Sequence, residues 1–165
     1  MKICIQTDYM EKYIIVKETD AKYIDIIYGI LRSCGWNMAK KGMFHWIPFY
    51  SKRSIRKDCQ SKVVVLVWDD EQKDYTSTFQ MYKMQNNNLY VRKIATLPEY
   101  EGRGIGKRNL LYMENYAKDN RCSKICLDVY RKSKRAIAFY EHANFNVVGT
   151  KRSIRFRELI MEKQI

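Results

Sequence analysis

Apolar residues along this chain recur with two periods, and the points where the period changes mark the elements of an α/β fold. Residues 1–11 show no clear period, whereas 13–16 form a β-prone apolar run closed by Glu18, Thr19 and Asp20, which predicts a first strand. Asp20 is placed to cap a helix in which Tyr23, Ile26, Ile27, Ile30 and Leu31 recur every three or four residues, with Gly35 as its expected end. That helix has one apolar face to turn inward. Residues 36–50 are dense in large side chains and interrupted by Gly42 and Pro48, so a mixture of helix and irregular chain is expected. A short helix over 51–59 then leads to VVVLVW at 63–68, whose length and β-branched content predict a buried strand.

The polar stretch 69–74 reads as a turn, because 75–83 alternates and is rich in Thr and Tyr. A second turn at Asn86 to Asn88 and the run 89–97, ended by Pro98, complete a three-stranded meander. Beyond Gly106, the residues Leu110, Leu111, Met113, Tyr116 and Ala117 stand at helical spacing up to about Asn120. A strand over 124–130, a helix over 134–142 and terminal strands near 147–152 and 155–161 follow. The expectation is one mixed α/β domain over 1–165, with 1–11 as an N-terminal extension, and no repeat, linker or low-complexity segment.

Composition sharpens this picture in three places. The chain has 165 residues, long enough to bury roughly two-thirds of its unfolded surface, and at 46% hydrophobic with thirteen tyrosines it is no disordered chain. Its 31 Lys and Arg against 18 Asp and Glu leave a formal charge of +13, which attracts an anionic ligand or partner or else is only a basic solvated surface. Cys4, Cys34, Cys59, Cys122 and Cys126 are odd in number and lack zinc-site spacing, so free thiols, no metal and a cytoplasmic location are expected. No run approaches the roughly 20 apolar residues of a membrane span, and the start has no long apolar core.

Candidate chemistry concentrates in EYEGRGIGKRNL, 99–110, where Gly102, Gly104 and Gly106 separate a strand end from a helix start. Small residues let backbone N–H groups turn toward an anion, and the helix start adds about half a positive charge. Arg103 and Lys107 place cations beside this cradle, which suits a pyrophosphate; the same glycines also suit a tight turn that binds nothing. The glycine spacing departs from the dinucleotide fingerprint, and no GK[ST] follows for a nucleotide phosphate loop.

LYVRKIATLPEYEGRGIGKRNLLYMENYAKDN, followed by KICLDVYRKSKRAIAFYEHANF, resembles the central half of a GNAT acetyltransferase over residues 89–145. The resemblance implies a GNAT fold, with a mixed central sheet of about six or seven strands, about four helices, and a splay between the fourth and fifth strands. It implies acetyl-CoA as cosubstrate and a small-molecule or peptide amine as acceptor. Gly102, Arg103, Gly104, Ile105, Gly106 and Lys107 would wrap the pyrophosphate, and Glu101 departs from the Gln or Arg usual at its place; it should turn to solvent or to a nearby cation. Ile94, Ala95 and Thr96 would hold the pantetheine arm through their backbone, with Phe139 packed near it and Ser133 standing where many members have Asn. Tyr140 matches the tyrosine that protonates the leaving thiolate, although it also reads as a buried aromatic.

For the acceptor side, Trp36, Phe44, His45, Trp46 and Tyr50 offer aromatic surface for a pocket or for plain core packing. His45 and, less well placed, Asp128 are the candidate bases, with a water relay as the alternative. Other readings stay open. An aminoacyl-tRNA acetyltransferase would use the basic charge, nucleic acid being otherwise unfavoured, and a non-catalytic CoA-binding sensor would tolerate Glu101 and Ser133. Pairing of two copies through the terminal strands is also open.

Overall fold

The most continuous apolar run of the chain becomes an interior strand. In the computed structural model, which describes residues 11–165, this run is β2, Val63–Asp69, within a seven-stranded mixed sheet. β1 (Glu11–Val16), β2, β3 (Asp74–Lys83) and β4 (Asn88–Thr96) form an antiparallel meander. A crossover through α3 (Ile105–Asp119) brings β5 (Lys124–Tyr130) parallel to β4. β6 (Asn146–Arg152) and β7 (Arg157–Gln164) complete the strand order β1-β2-β3-β4-β5-β7-β6.

Alternation along β2 fixes which helices cover which face. Val64 and Leu66 meet Ile24, Ile27, Ile30 and Leu31 of α1 (Ala21–Lys40) and Ile55 of α2 (Lys52–Ser61). Val65 and Val67 face the opposite layer, where Leu110, Met113 and Ala117 of α3 pack beside α4 (Lys134–His142). Burying each large aliphatic or aromatic side chain in these layers contributes roughly 1.5–3 kcal/mol. Among the described residues no helix is long and apolar enough to cross a membrane.

Three element ends differ from the sequence expectation. Helix α1 runs through Gly35 to Lys40, because a Cβ at Gly35 would lie 2.7 Å from the Phe49 ring; that glycine serves packing. The stop is Gly42, at φ +77° in the left-handed region. Asp20 does not cap α1 through its side chain, which instead accepts from the Lys17 N–H at 2.9 Å. The last strand begins at Arg157, since a turn closed by the Ser153 N–H on the Phe156 carbonyl occupies the preceding residues. Of the segment set apart as an extension, residues 1–10 lie outside the described residues, as does Cys4; Glu11 already opens β1.

The split that places the site has a local cause. β4 pairs with β5 only through Asn88, Leu89 and Tyr90, opposite Lys124, Ile125 and Cys126. On its other edge Ala95 lies opposite Thr78 and Arg92 opposite Gln80, so Phe79 faces two residues, Lys93 and Ile94. Lys93 takes φ +49° in this bulge. A bulge bends its strand, and here it bends β4 just beyond the last pair it makes with β5.

Candidate active site at the sheet split

The glycine loop begins where Pro98 ends β4 and a 3-10 turn, Pro98–Tyr100, redirects the chain. Gly102 and Gly104 have φ of +80° and +79°, a conformation that side chains disfavour. A Cβ at Gly102 would meet nothing within 4 Å, so the loop has open space above it. α3 starts at once after Gly104 with no side-chain cap, whereas α2 is capped by Ser51, which accepts from the Ser54 N–H at 3.1 Å. Its first-turn N–H groups are left for an external anion, and the helix dipole favours negative charge there.

Side chains around the loop brace it more than they extend it. Arg108 donates to the Arg103 carbonyl at 3.0 Å and to the Glu11 carboxylate at 2.8 Å. Ile105 is buried in the core, so only its backbone can face a ligand. Gly106 has a second reason to be small, because a Cβ there would stand 3.3 Å from the Phe139 ring. Arg103 donates to Gln72, and its guanidinium lies 5.5 Å from the centre of the Tyr100 ring. Lys107 is exposed. Glu101 turns to a cation as expected, pairing with Arg135 at 2.6 Å.

Beyond the loop, the gap between β4 and β5 opens into a cavity of about 340 Å³. Ile94 of β4, Asp128 and Tyr130 of β5, Ser133 and Tyr140 line it, together with His45, Trp46 and Tyr50. Ala95 is buried, and the Thr96 carbonyl accepts from the Cys34 thiol at 3.2 Å. Ser133 opens α4 without capping it, which leaves its hydroxyl on the cavity wall. Tyr140 is 9% exposed, its ring set edge-on to Phe139 and Phe145, and among the described residues its hydroxyl has no hydrogen-bond partner. Burial pushes its pKa up, so it stays protonated. Asn144, at φ +67°, lets the chain double back so that the Phe145 N–H reaches the Tyr140 carbonyl at 3.0 Å, the left-handed helix end that its asparagine suits.

On the acceptor side, the loop carrying His45 is tied to the β6–β7 turn, where Arg155 donates to the Ile47 carbonyl at 2.6 Å. His45 stacks on Tyr130 with ring centres 4.2 Å apart, and its Nδ1 is buried without a partner among the described residues. Burial lowers its pKa from 6.5 to about 4, which makes it a poor proton acceptor. A neutral buried histidine favours the folded state above its unfolded pKa, and this contribution is lost as pH falls through 6.5 toward 4. Melting temperature should therefore fall more steeply across that interval in the natural chain than in a His45→Gln variant.

Not all of the aromatic segment arrives at the cavity. Trp46 and Tyr50 line it, but Trp36 and Phe44 are 49% and 61% exposed and stand outside it. The structure also brings in charged groups that sequence reasoning missed. Arg92, Lys93, Lys151 and Glu158 reach the cavity wall, and Lys93 pairs at 2.5 Å with Asp58 of α2. Asp128 accepts from Tyr90 and, at 3.0 Å, from Lys151. Glu158 lies opposite Tyr130 in the β5–β7 ladder, and burial, with the Asp128 charge second, raises its pKa. Among the described residues no cluster could hold a metal ion.

The acetyltransferase (GNAT) family model matches residues 32–145. Among solved structures, the ribosomal-protein-S18-alanine N-acetyltransferase of Escherichia coli is similar at 18% identity, with a TM-score of 0.74 and 94% of each chain covered. PaiA N-acetyltransferase of Thermoplasma acidophilum, solved with coenzyme A, is similar at 18% identity and a TM-score of 0.75, over 94% of this chain and 99% of that one. A spermidine N-acetyltransferase chimera from Vibrio cholerae and hSSAT is similar at 15% identity and a TM-score of 0.70, over 94% and 95%. A sequence search of curated proteins finds no match.

Proposed function

The chain belongs to the GNAT acetyltransferase family, and from that premise we propose that it transfers an acetyl group from acetyl-CoA to a primary amine by direct attack in a ternary complex. What carries this reading is one juxtaposition: a protonated Tyr140 among the residues lining a cavity that opens where β4 leaves β5, in a fold whose β4 leads through the glycine loop into an uncapped helix start. The open space over Gly102 and the bare first turn of α3 fit a pyrophosphate. Acetyl-CoA supplies an activated acyl group as a thioester.

Each of this chain's residues then has a task that its position supports. Backbone groups of Gly102, Gly104, Ile105, Gly106 and Lys107 bind the phosphates, with Arg103 and Lys107 adding charge at the rim. The edge of β4 from Ile94 through Ala95 to Thr96, freed from β5, receives the pantetheine arm, and Ser133 offers it a hydroxyl. Phe139 packs against Gly106, on the helix that follows the phosphate loop. Tyr140 gives its proton to the departing sulfur. His45 and Trp46 shape the acceptor wall, and Glu158, whose raised pKa moves it toward that of an effective base, takes the proton released by the incoming ammonium. Residues 11–165 form one such catalytic domain, and the free thiols of Cys34, Cys59, Cys122 and Cys126 suit a reducing compartment such as the cytoplasm.

Thermal denaturation with and without acetyl-CoA tests the reading. A ligand that binds only the folded state stabilises it by about 2.7 kcal/mol at a hundredfold excess over its dissociation constant. For a domain of this size that is a rise of roughly 5–10 °C. An unchanged melting temperature at millimolar acetyl-CoA would remove the cofactor and the function together.

A further inference from the structure

We propose that the acceptor is a small zwitterionic amine of the α-amino-acid class, with its carboxylate held by Arg92 and its ammonium by Glu158. This inference rests on the acetyltransferase reading and narrows it to a substrate class.

The charges within the cavity do not all find partners. Five ionised side chains line it: Arg92, Lys93, Lys151, Asp128 and Glu158. Lys93 pairs with Asp58 at 2.5 Å, a carboxylate that also takes Lys62 at 2.9 Å outside the cavity, and Lys151 pairs with Asp128 at 3.0 Å. Arg92 and Glu158 remain, and among the described residues neither makes an ion pair or a side-chain hydrogen bond, with the other or with a third group. An arginine and a glutamate lining one half-open cavity suit a ligand that carries the two opposite charges.

Other acceptor classes leave one of the two uncommitted groups opposed. A polyamine's second ammonium would meet Arg92, and a phosphate-rich acceptor would meet Glu158. The groups about Glu158 are Asp128 and Tyr130 on β5, Lys151 on β6 and Arg92 on β4, so its surroundings are neither uniformly basic nor acidic. At about 340 Å³ the cavity lies at the small end of ligand sites, with room for one amino acid beside the end of the pantetheine arm. Trp46 and Tyr82 supply aromatic surface, whereas Lys93 lies over the Tyr50 ring at 4.0 Å and His45 stacks on Tyr130; an apolar or aromatic side chain on that acceptor fits against the first two.

The test is acceptor-dependent CoA release from the full chain with L-leucine, L-phenylalanine, L-phenylalaninamide, phenylethylamine and spermidine, alongside the melting shift with acetyl-CoA. The expected result is turnover of the free amino acids, with kcat/KM about 10- to 100-fold lower once the carboxylate is amidated or absent. Arg92→Gln should erase most of that preference by lowering kcat/KM for the amino acids alone, while the acetyl-CoA melting shift persists. Equal use of phenylalanine and phenylethylamine, a preference for spermidine, or an unaltered preference in Arg92→Gln would overturn the inference and leave the acetyltransferase reading standing. So would free amino acids that are not turned over and do not raise the melting temperature of the CoA-saturated protein. Absence of any acetyl-CoA shift would instead strike the acetyltransferase reading, and this inference with it.

Discussion

Replacing Tyr140 with Phe is expected to lower kcat by about a hundred- to ten-thousand-fold, the usual worth of a positioned general acid. KM for acetyl-CoA should change little, because the hydroxyl is assigned to the departing sulfur and not to the phosphates or the pantetheine. The fold should survive. The Tyr140 ring packs edge-on against Phe139 and Phe145, contacts that Phe retains, and among the described residues its hydroxyl makes no hydrogen bond whose loss would leave a buried partner stranded. Burial holds the phenol protonated well above neutral pH, so the rise of rate with pH near neutrality belongs to the acceptor amine and its base and should persist in the variant with a lower plateau. Initial rates across pH, with melting temperature on the same samples, check both statements. A loss of less than threefold would return Tyr140 to the role of a core aromatic.

Much of this arrangement was legible in the residues, and the parts that were not share a physical reason. The continuous apolar run 63–68, the alternation over 75–83 and the run ended by Pro98 located β2, β3 and β4, and the glycines at 102 and 104 marked a turn that the structure builds with positive φ. Gly35 and Gly42 look alike in sequence, yet one is small to admit the Phe49 ring and the other because its backbone is left-handed; only tertiary packing separates the two causes. The aromatic segment shows the same limit, since Trp46 enters the cavity and Trp36 does not, a choice made by an irregular loop with no period to read. Arg92 and Glu158 come together through the bulge in β4 and the register of β7 on β5, which no local pattern encodes. The basic net charge pointed away from a cationic acceptor, and Glu158, the cavity carboxylate with no ion pair among the described residues, supplies a local site for the one ammonium of the acceptor.

The bulge also yields the largest expected effect on stability. Lys93 takes its positive φ there, which directs its side chain into the layer between sheet and α2, where it is 4% exposed and Asp58 is 11% exposed. Burial pushes the Lys93 pKa down, the mark of a charge that would be costly without its partner. Burial alone would raise the Asp58 pKa, but hydrogen bonds from Lys93, Lys62 and Gln80 outweigh it and hold the carboxyl below its ordinary value. The stabilisation from Asp58 is therefore present above the usual carboxylate pKa and lost as pH falls below it. Asp58→Asn keeps the shape and strands the Lys93 ammonium, so the expected loss is about 3–5 kcal/mol, roughly 6–20 °C in melting temperature. Removing both charges, as Asp58→Leu with Lys93→Met, should recover part of that loss, since an apolar pair can replace a buried ion pair; Gln80 and Lys62, which donate to Asp58 at 3.0 and 2.9 Å, would still lack that partner. The double variant separates stability from catalysis. If the Lys93–Asp58 pair does no more than hold the fold, kcat in the folded double variant should match the natural chain. Should the pair also hold Ile94 in register at the split, kcat falls while the acetyl-CoA melting shift persists, because the phosphate loop lies beyond the bulge and is braced separately by Arg108.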